Sequence, residues 1–182
     1  MNDYENQEIN QNYAPQMQYA ENPGRELKPT EVMGPDGTIH SMKWHRFMIT
    51  VALYLSAVLN IFNGIKLFAP VDVSYYDPEI RSTIRALHML DLFSGVMMLC
   101  LAAFAIITRK ALANYQAKGV RMLLALYALP VILAIFLIIM VAVIAGTAAP
   151  QFITAAVSSA ISAAVMIAIQ HTYYKKRAFL FH

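Results

Sequence analysis

Two apolar runs, residues 47–68 and 86–108, constrain this chain more than anything else in it. Each is long enough to cross a bilayer, because about 20 apolar residues rising 1.5 Å apiece cover the hydrocarbon core. A short polar link joins them, so together they predict an antiparallel hairpin of membrane helices. Two further apolar stretches follow, which makes four expected helices at 44–68, 85–108, 121–145 and 151–171. The composition agrees: 58% of the residues are hydrophobic and 14% are charged, with a mean hydropathy of +0.48. In a chain of 182 residues that is the signature of a polytopic membrane protein and wrong for a water-soluble domain. The expected fold class is an all-α, four-helix transmembrane bundle with a disordered N-terminal tail and both termini cytoplasmic.

Residues 1–41 form the tail in this reading and residues 42–182 the transmembrane domain. Asn, Gln, Tyr and acids dominate the first 33 residues, and their few apolar side chains show no period that could build a core. The first residues lack the basic and apolar regions of a signal peptide, so the first helix is expected to be its own insertion signal. Gly34-Pro35-Asp36-Gly37 is a turn signal, with a brief extended piece expected at Thr38–Ser41. Lys43, Trp44, His45 and Arg46 then mark the membrane boundary.

Charge is distributed unevenly. Residues 1–42 hold seven acids against Arg25 and Lys28, and the rest of the chain is net basic. Placing the tail in the cytoplasm puts nine basic residues near the helices on the inner side (Lys43, Arg46, Arg109, Lys110, Lys118, Arg121, Lys175, Lys176, Arg177). Only Lys66, Arg81 and Arg85 are then outside. This positive-inside bias predicts a multi-pass plasma-membrane protein. Basic residues at helix ends are topology signals and lipid anchors, and no basic face with stacking aromatics suggests a nucleic-acid partner.

The residues with chemical potential sit inside the first hairpin. Asn60 and Asn63 on the first helix and His88 and Asp91 on the second are expected at one level, as an intramembrane polar cluster. A carboxylate inside a membrane helix costs about 2.5–3.5 kcal/mol, so Asp91 needs a partner or water. It reads either as a proton or cation site or, more simply, as a hydrogen-bond partner of Asn60 or Asn63. His88 and Asp91 share a face at i, i+3, but two ligands make no metal site. Cys100, the single cysteine, excludes an intrachain disulfide and a cysteine-based zinc site. His45 and His171, both at the inner boundary, read as solvated interfacial histidines and not as haem ligands. No metal and no cofactor is expected.

On the fourth helix, Ala155, Ser159 and Ala163 form a small-residue row of the kind that lets membrane helices approach closely. With Thr154 and Ser158 near its outer end, the bundle is expected to enclose a small polar pocket in the outer leaflet. Catalytic arrangements fail on placement. Ser94 and His88 point to different sides of one helix, and neither a phosphate loop nor an HExxH pair is present. Tyr127 and Pro130 read as packing and kink residues.

The run Met42-Lys43-Trp44…Phe47, then Ser56-Ala57-Val58-Leu59-Asn60…Asn63-Gly64, resembles the first helix of uncharacterised four-helix integral membrane proteins of Gram-positive, clostridial-type gut bacteria. The stretch Arg109…Leu112-Ala113-Asn114-Tyr115…Gly119…Met122 and the following Leu126-Tyr127 are similar as well. The resemblance implies the four-helix architecture and a bacterial plasma membrane; it implies no activity. Relatives often carry an N-terminal zinc ribbon, which this tail without cysteine lacks. The expectation is therefore a non-enzymatic protein acting as an assembly or interaction element, its partners being the lipid bilayer and a second copy or another membrane protein. The alternative is a small oligomeric transporter or ion-conducting subunit built around Asp91.

Overall fold

A computed structural model describes residues 27–146 and 150–182, with backbone alone for 150–152 and 155. Four long helices follow a two-stranded hairpin: α1 (Lys43–Lys66), α2 (Pro78–Ala113), α3 (Ala117–Ala145) and α4 (Pro150–Lys175). All four are long and apolar enough to cross a membrane. Their exposed faces show the solvent they are made for. On α4, Val157, Ile161, Val165 and Ile169 recur every fourth residue on one exposed stripe. The most apolar 18-residue stretch of α3 is only 6% buried within the protein. Surface of that kind is stable against hydrocarbon and not against water. This is a four-helix membrane protein.

The helices pack in chain order, α1 on α2, α2 on α3 and α3 on α4. The buried core lies in the half of the bundle nearest the termini. There Met48, Leu53 and Ala57 of α1 meet Leu101, Ala102, Ala105 and Leu112 of α2, Leu123 and Leu126 of α3, and Tyr174 of α4. Towards the α1–α2 link the bundle opens, and α3 has no buried residue beyond Leu133.

Helix α2 is longer than expected. It starts at Pro78, whose fixed φ suits a first helical position, and not at residue 85, and it runs on to Ala113. Its 36 residues span about 54 Å against a hydrocarbon core of about 30 Å, so its first turns stand outside the membrane. The link shrinks to residues 67–77. The tail expectation also changes at its inner end. Residues 31–41 are not tail but a hairpin, β1 (Glu31–Met33) and β2 (Ile39–Ser41), antiparallel with Val32 opposite His40. The Gly34–Gly37 turn closes it: Gly37 adopts φ +76°, and the Asp36 carboxylate accepts from the Thr38 hydroxyl at 2.7 Å and its amide at 3.1 Å. Those bonds hold the Asp36 carboxyl below the usual carboxylate range. The expected disorder otherwise falls on residues 1–26, outside the described residues.

Two glycine contacts bring α2 close to its neighbours: Gly119 of α3, where a Cβ would lie 2.8 Å from the Leu112 nitrogen, and the facing pair Gly64 of α1 and Gly95 of α2. A Cβ on Gly64 would lie 3.0 Å from the Gly95 carbonyl oxygen, and one on Gly95 would lie 3.0 Å from that of Gly64.

Candidate functional site

Gly64 and Gly95 set the register of the first hairpin, and the register separates the expected polar cluster. With those two residues level, Asp91 stands level with Phe68, while Asn63 and Asn60 stand about 7 and 12 Å deeper at 1.5 Å per residue. The equal depth read from the sequence assumed a link centred near residue 76. The Gly64–Gly95 register is centred between residues 79 and 80 instead, so α2 rises past the end of α1 and carries His88 and Asp91 outward. Counted from the basic boundary at Arg109, Asp91 lies about 27 Å along α2, at the edge of the hydrocarbon core.

The four residues accordingly go to different places. Asn60, half-buried, reaches only the Ser56 hydroxyl of its own helix, at 3.5 Å. Asn63 is exposed and His88 half-buried, and no hydrogen bond joins either to Asp91. Asp91 lines a cavity of about 440 Å³ between α2, α3 and α4, along with Ser94 and Ser159. A second cavity of about 330 Å³ lies deeper among all four helices, with Ser56, Asn60, Tyr127, Ser159 and Ser162 on its walls. Pro130 lines it too; lacking an N–H, it releases the carbonyl of Leu126, another wall residue, from the α3 ladder. This mid-depth cavity is not the polar pocket expected in the outer leaflet, since neither Thr154 nor Ser158 lines it; Tyr127 and Pro130 belong to its wall. Of the α4 row, Ser159 lines both cavities and Ala163 the deeper one, so the row borders open space; the side chain of Ala155 lies outside the described residues.

At the opposite end the chain builds a feature the sequence reading missed. His45 had been read as solvated, yet it is 1% exposed. Its Nδ1 lies 3.1 Å from the Tyr174 hydroxyl, and its ring packs among Tyr115, Tyr174 and Phe181 at centroid distances of 5.3–5.9 Å. His171 is exposed and takes no part. Tyr115 is held at φ +52°, an uncommon conformation for a bulky residue, in the turn between α2 and α3. Beside this cluster, Arg177 is buried with its guanidinium 3.7 Å above the Tyr173 ring. It donates to the carbonyls of Tyr173 (2.9 Å) and Ser41 (3.0 Å), and the Tyr173 hydroxyl also donates to Ser41. Arg46 donates to the Pro29 carbonyl at 2.7 Å, and Val32 packs with Met42 and Leu180. The hairpin is therefore bolted to both α1 and the segment after α4. The Trp44 indole N–H donates to Gln170, whose amide reaches the Met48 sulfur, tying α1 to α4 directly.

One local irregularity serves the same end. Met48–Ala52 of α1 is π-helical, and the Ile49 carbonyl accepts from Arg109 Nε at 2.9 Å while the guanidinium lies over the Tyr54 ring. The sequence signal for this end was the density of aromatic and basic residues at 42–47 and 170–181, which reads equally well as lipid anchoring. Among the described residues no three His, Cys, Asp or Glu side chains gather as a metal site.

No protein-family model matches the chain, and no curated protein or solved structure matches it either. Function must be argued from the molecule alone.

Proposed function

We propose that this chain is a non-enzymatic assembly or interaction element of a bacterial plasma membrane, with both termini in the cytoplasm. The observation that carries the reading is the fastening of the hairpin to the bundle by Arg177, Tyr173 and Arg46. It fixes the hairpin on the bundle, immediately after a sequence segment, residues 1–26, that is acidic and rich in Asn, Gln and Tyr. A fixed hairpin at the end of a membrane bundle is a surface on which a partner can dock. The basic residues at that end support the cytoplasmic orientation. Where the arginines spend their hydrogen bonds supports a structural role: Arg46, Arg81, Arg109 and Arg177 all bind backbone carbonyls. The kinship with four-helix membrane proteins of Gram-positive bacteria belongs to this proposal as well.

Crosslinking and co-purification from native membranes test it. The full chain should bring down a defined partner or a second copy, and a chain lacking residues 1–26 should lose it while remaining in the membrane. Recovery of a lone chain in both cases would refute the reading. A second reading, an oligomeric transporter or ion-conducting subunit, is favoured by one observation: the two cavities share Ser159, and one of them holds Asp91.

A further inference from the structure

We propose that the cavity between α2, α3 and α4 binds a lipophilic cation, a compact hydrophobic body carrying one positive charge, with Asp91 as its counter-ion. The walls supply the chemistry. Leu90, Leu137, Ile138 and Val141 make the cavity aliphatic, Ser94 spends its hydroxyl on the Leu90 carbonyl, and Asp91 is the one charged group among the described residues that lines it. Its volume of about 440 Å³ is that of a site for a small organic molecule.

The cations at this end of the bundle are occupied elsewhere or remote. Lys66 sits over the Phe62 ring at 4.2 Å. Arg81 donates to the carbonyls of Ser74 and Tyr76. Arg85 is exposed and does not line the cavity. Asp91, itself exposed, therefore presents a negative charge to an open apolar cavity that offers it no partner among the described residues. An anion or a second carboxylate would be repelled there. A neutral hydrocarbon would leave the carboxylate desolvated without compensation. A small inorganic cation would gain one carboxylate and few other oxygens, short of the six to eight that calcium takes. A hydrophobic cation satisfies both surfaces. Its charge meets Asp91 at the edge of the hydrocarbon core, where water still reaches the head, and its body fills the space running inward past Ser94 to Ser159. The position of Asp91 about 27 Å from Arg109 along α2 is what makes this amphiphilic geometry possible.

Two ions of the same shape and opposite charge test the assignment. Equilibrium binding of tetraphenylphosphonium and of tetraphenylborate is measured to the full chain in nanodiscs of zwitterionic lipid, with empty nanodiscs subtracted. The phosphonium should bind saturably, and the borate should show no binding beyond the empty discs. Asp91→Asn should weaken phosphonium binding about tenfold or more, and Asp91→Glu should restore most of it. Ala134→Phe, which fills the cavity and leaves the charge in place, should also abolish binding. The proposal is overturned if the folded wild-type chain binds no phosphonium, if the borate binds equally well, or if Asp91→Asn binds as the wild type does. Should Ala134→Phe fail to fold, the Asp91 variants still decide the question. The outcome is independent of the partner-capture experiment above, since the cavity lies at the opposite end of the bundle from the hairpin.

Discussion

Gly95→Val should unfasten the first helical hairpin. A Cβ at position 95 would stand 3.0 Å from the Gly64 carbonyl oxygen and 3.0 Å from Cε2 of Phe68. The aromatic ring can turn aside, but the carbonyl is backbone of α1 and cannot. Relaxed C···O contacts lie at about 3.3–3.6 Å, so even alanine requires the helices to part by about 0.3–0.6 Å. Alanine recovers about 1 kcal/mol of helix propensity, against about 1–3 kcal/mol for overpacking, which leaves a net cost of about 0–2 kcal/mol. Valine adds two methyl groups to the same wall and loses most of the propensity gain, so its cost should reach about 3 kcal/mol. In lipid, helices associate mainly through such packing, and no hydrophobic term offsets the loss. The assay is unfolding of the purified chain in mixed micelles titrated with a denaturing detergent. Gly64→Ala strains the same contact from the other side, so Gly64→Ala with Gly95→Ala should cost less than the sum of the two, because one separation relieves both. A Gly95→Val protein as stable as wild type, or strict additivity of the alanine pair, would mean that the helices do not touch there.

Arg109→Gln should lower stability by about 1.5–3 kcal/mol in the same assay, since it leaves the Ile49 carbonyl of the π-helical turn without its charged donor. Arg177→Met should release the hairpin while sparing the bundle, visible as faster amide hydrogen exchange at residues 31–41 with little change in the unfolding midpoint. After replacement of Cys100, a cysteine at exposed Tyr76 should label from outside intact cells, and one at Ser41 should be protected; the reverse pattern would invert the orientation.

The four spans were legible because a run of about 20 apolar residues has few other uses. Depth along them was not. The polar residues after Pro78 look like loop to a hydropathy reading, yet they continue α2 past the end of α1, and the Gly64–Gly95 register leaves Asp91 well outside Asn60. Register is set by Gly64 meeting Gly95, a contact between positions 31 residues apart that leaves no local pattern beyond two glycines. Small residues on α4 gave a stronger pattern, and what it did not disclose is that Ser159 lines both cavities. His45 was misjudged for a related reason. Its burial comes from Tyr174 and Phe181, nearly the whole chain away, and basic neighbours such as Arg46 suggest solvent to anyone counting only nearby residues. The turn at Gly34–Gly37 was legible from its residue types, whereas the docking of its strands depends on Arg177 and was not.

The bond between Arg177 and the Ser41 carbonyl also dictates an order of manufacture. The two residues are 136 positions apart, and at about 5–20 residues per second a ribosome makes the second about 7–27 s after the first. Through that interval α1, α2 and most of α3 can enter the membrane while the hairpin is held only from its own end of the chain, by Arg46 and Met42 of the α1 side. The Ser41 carbonyl meanwhile stays bound to water, and Val32 has only Met42 against it until Leu180 arrives. Newly made chains therefore pass through a stage in which the hairpin is open to proteases and chaperones, and a ribosome stalled before residue 177 would leave it so indefinitely.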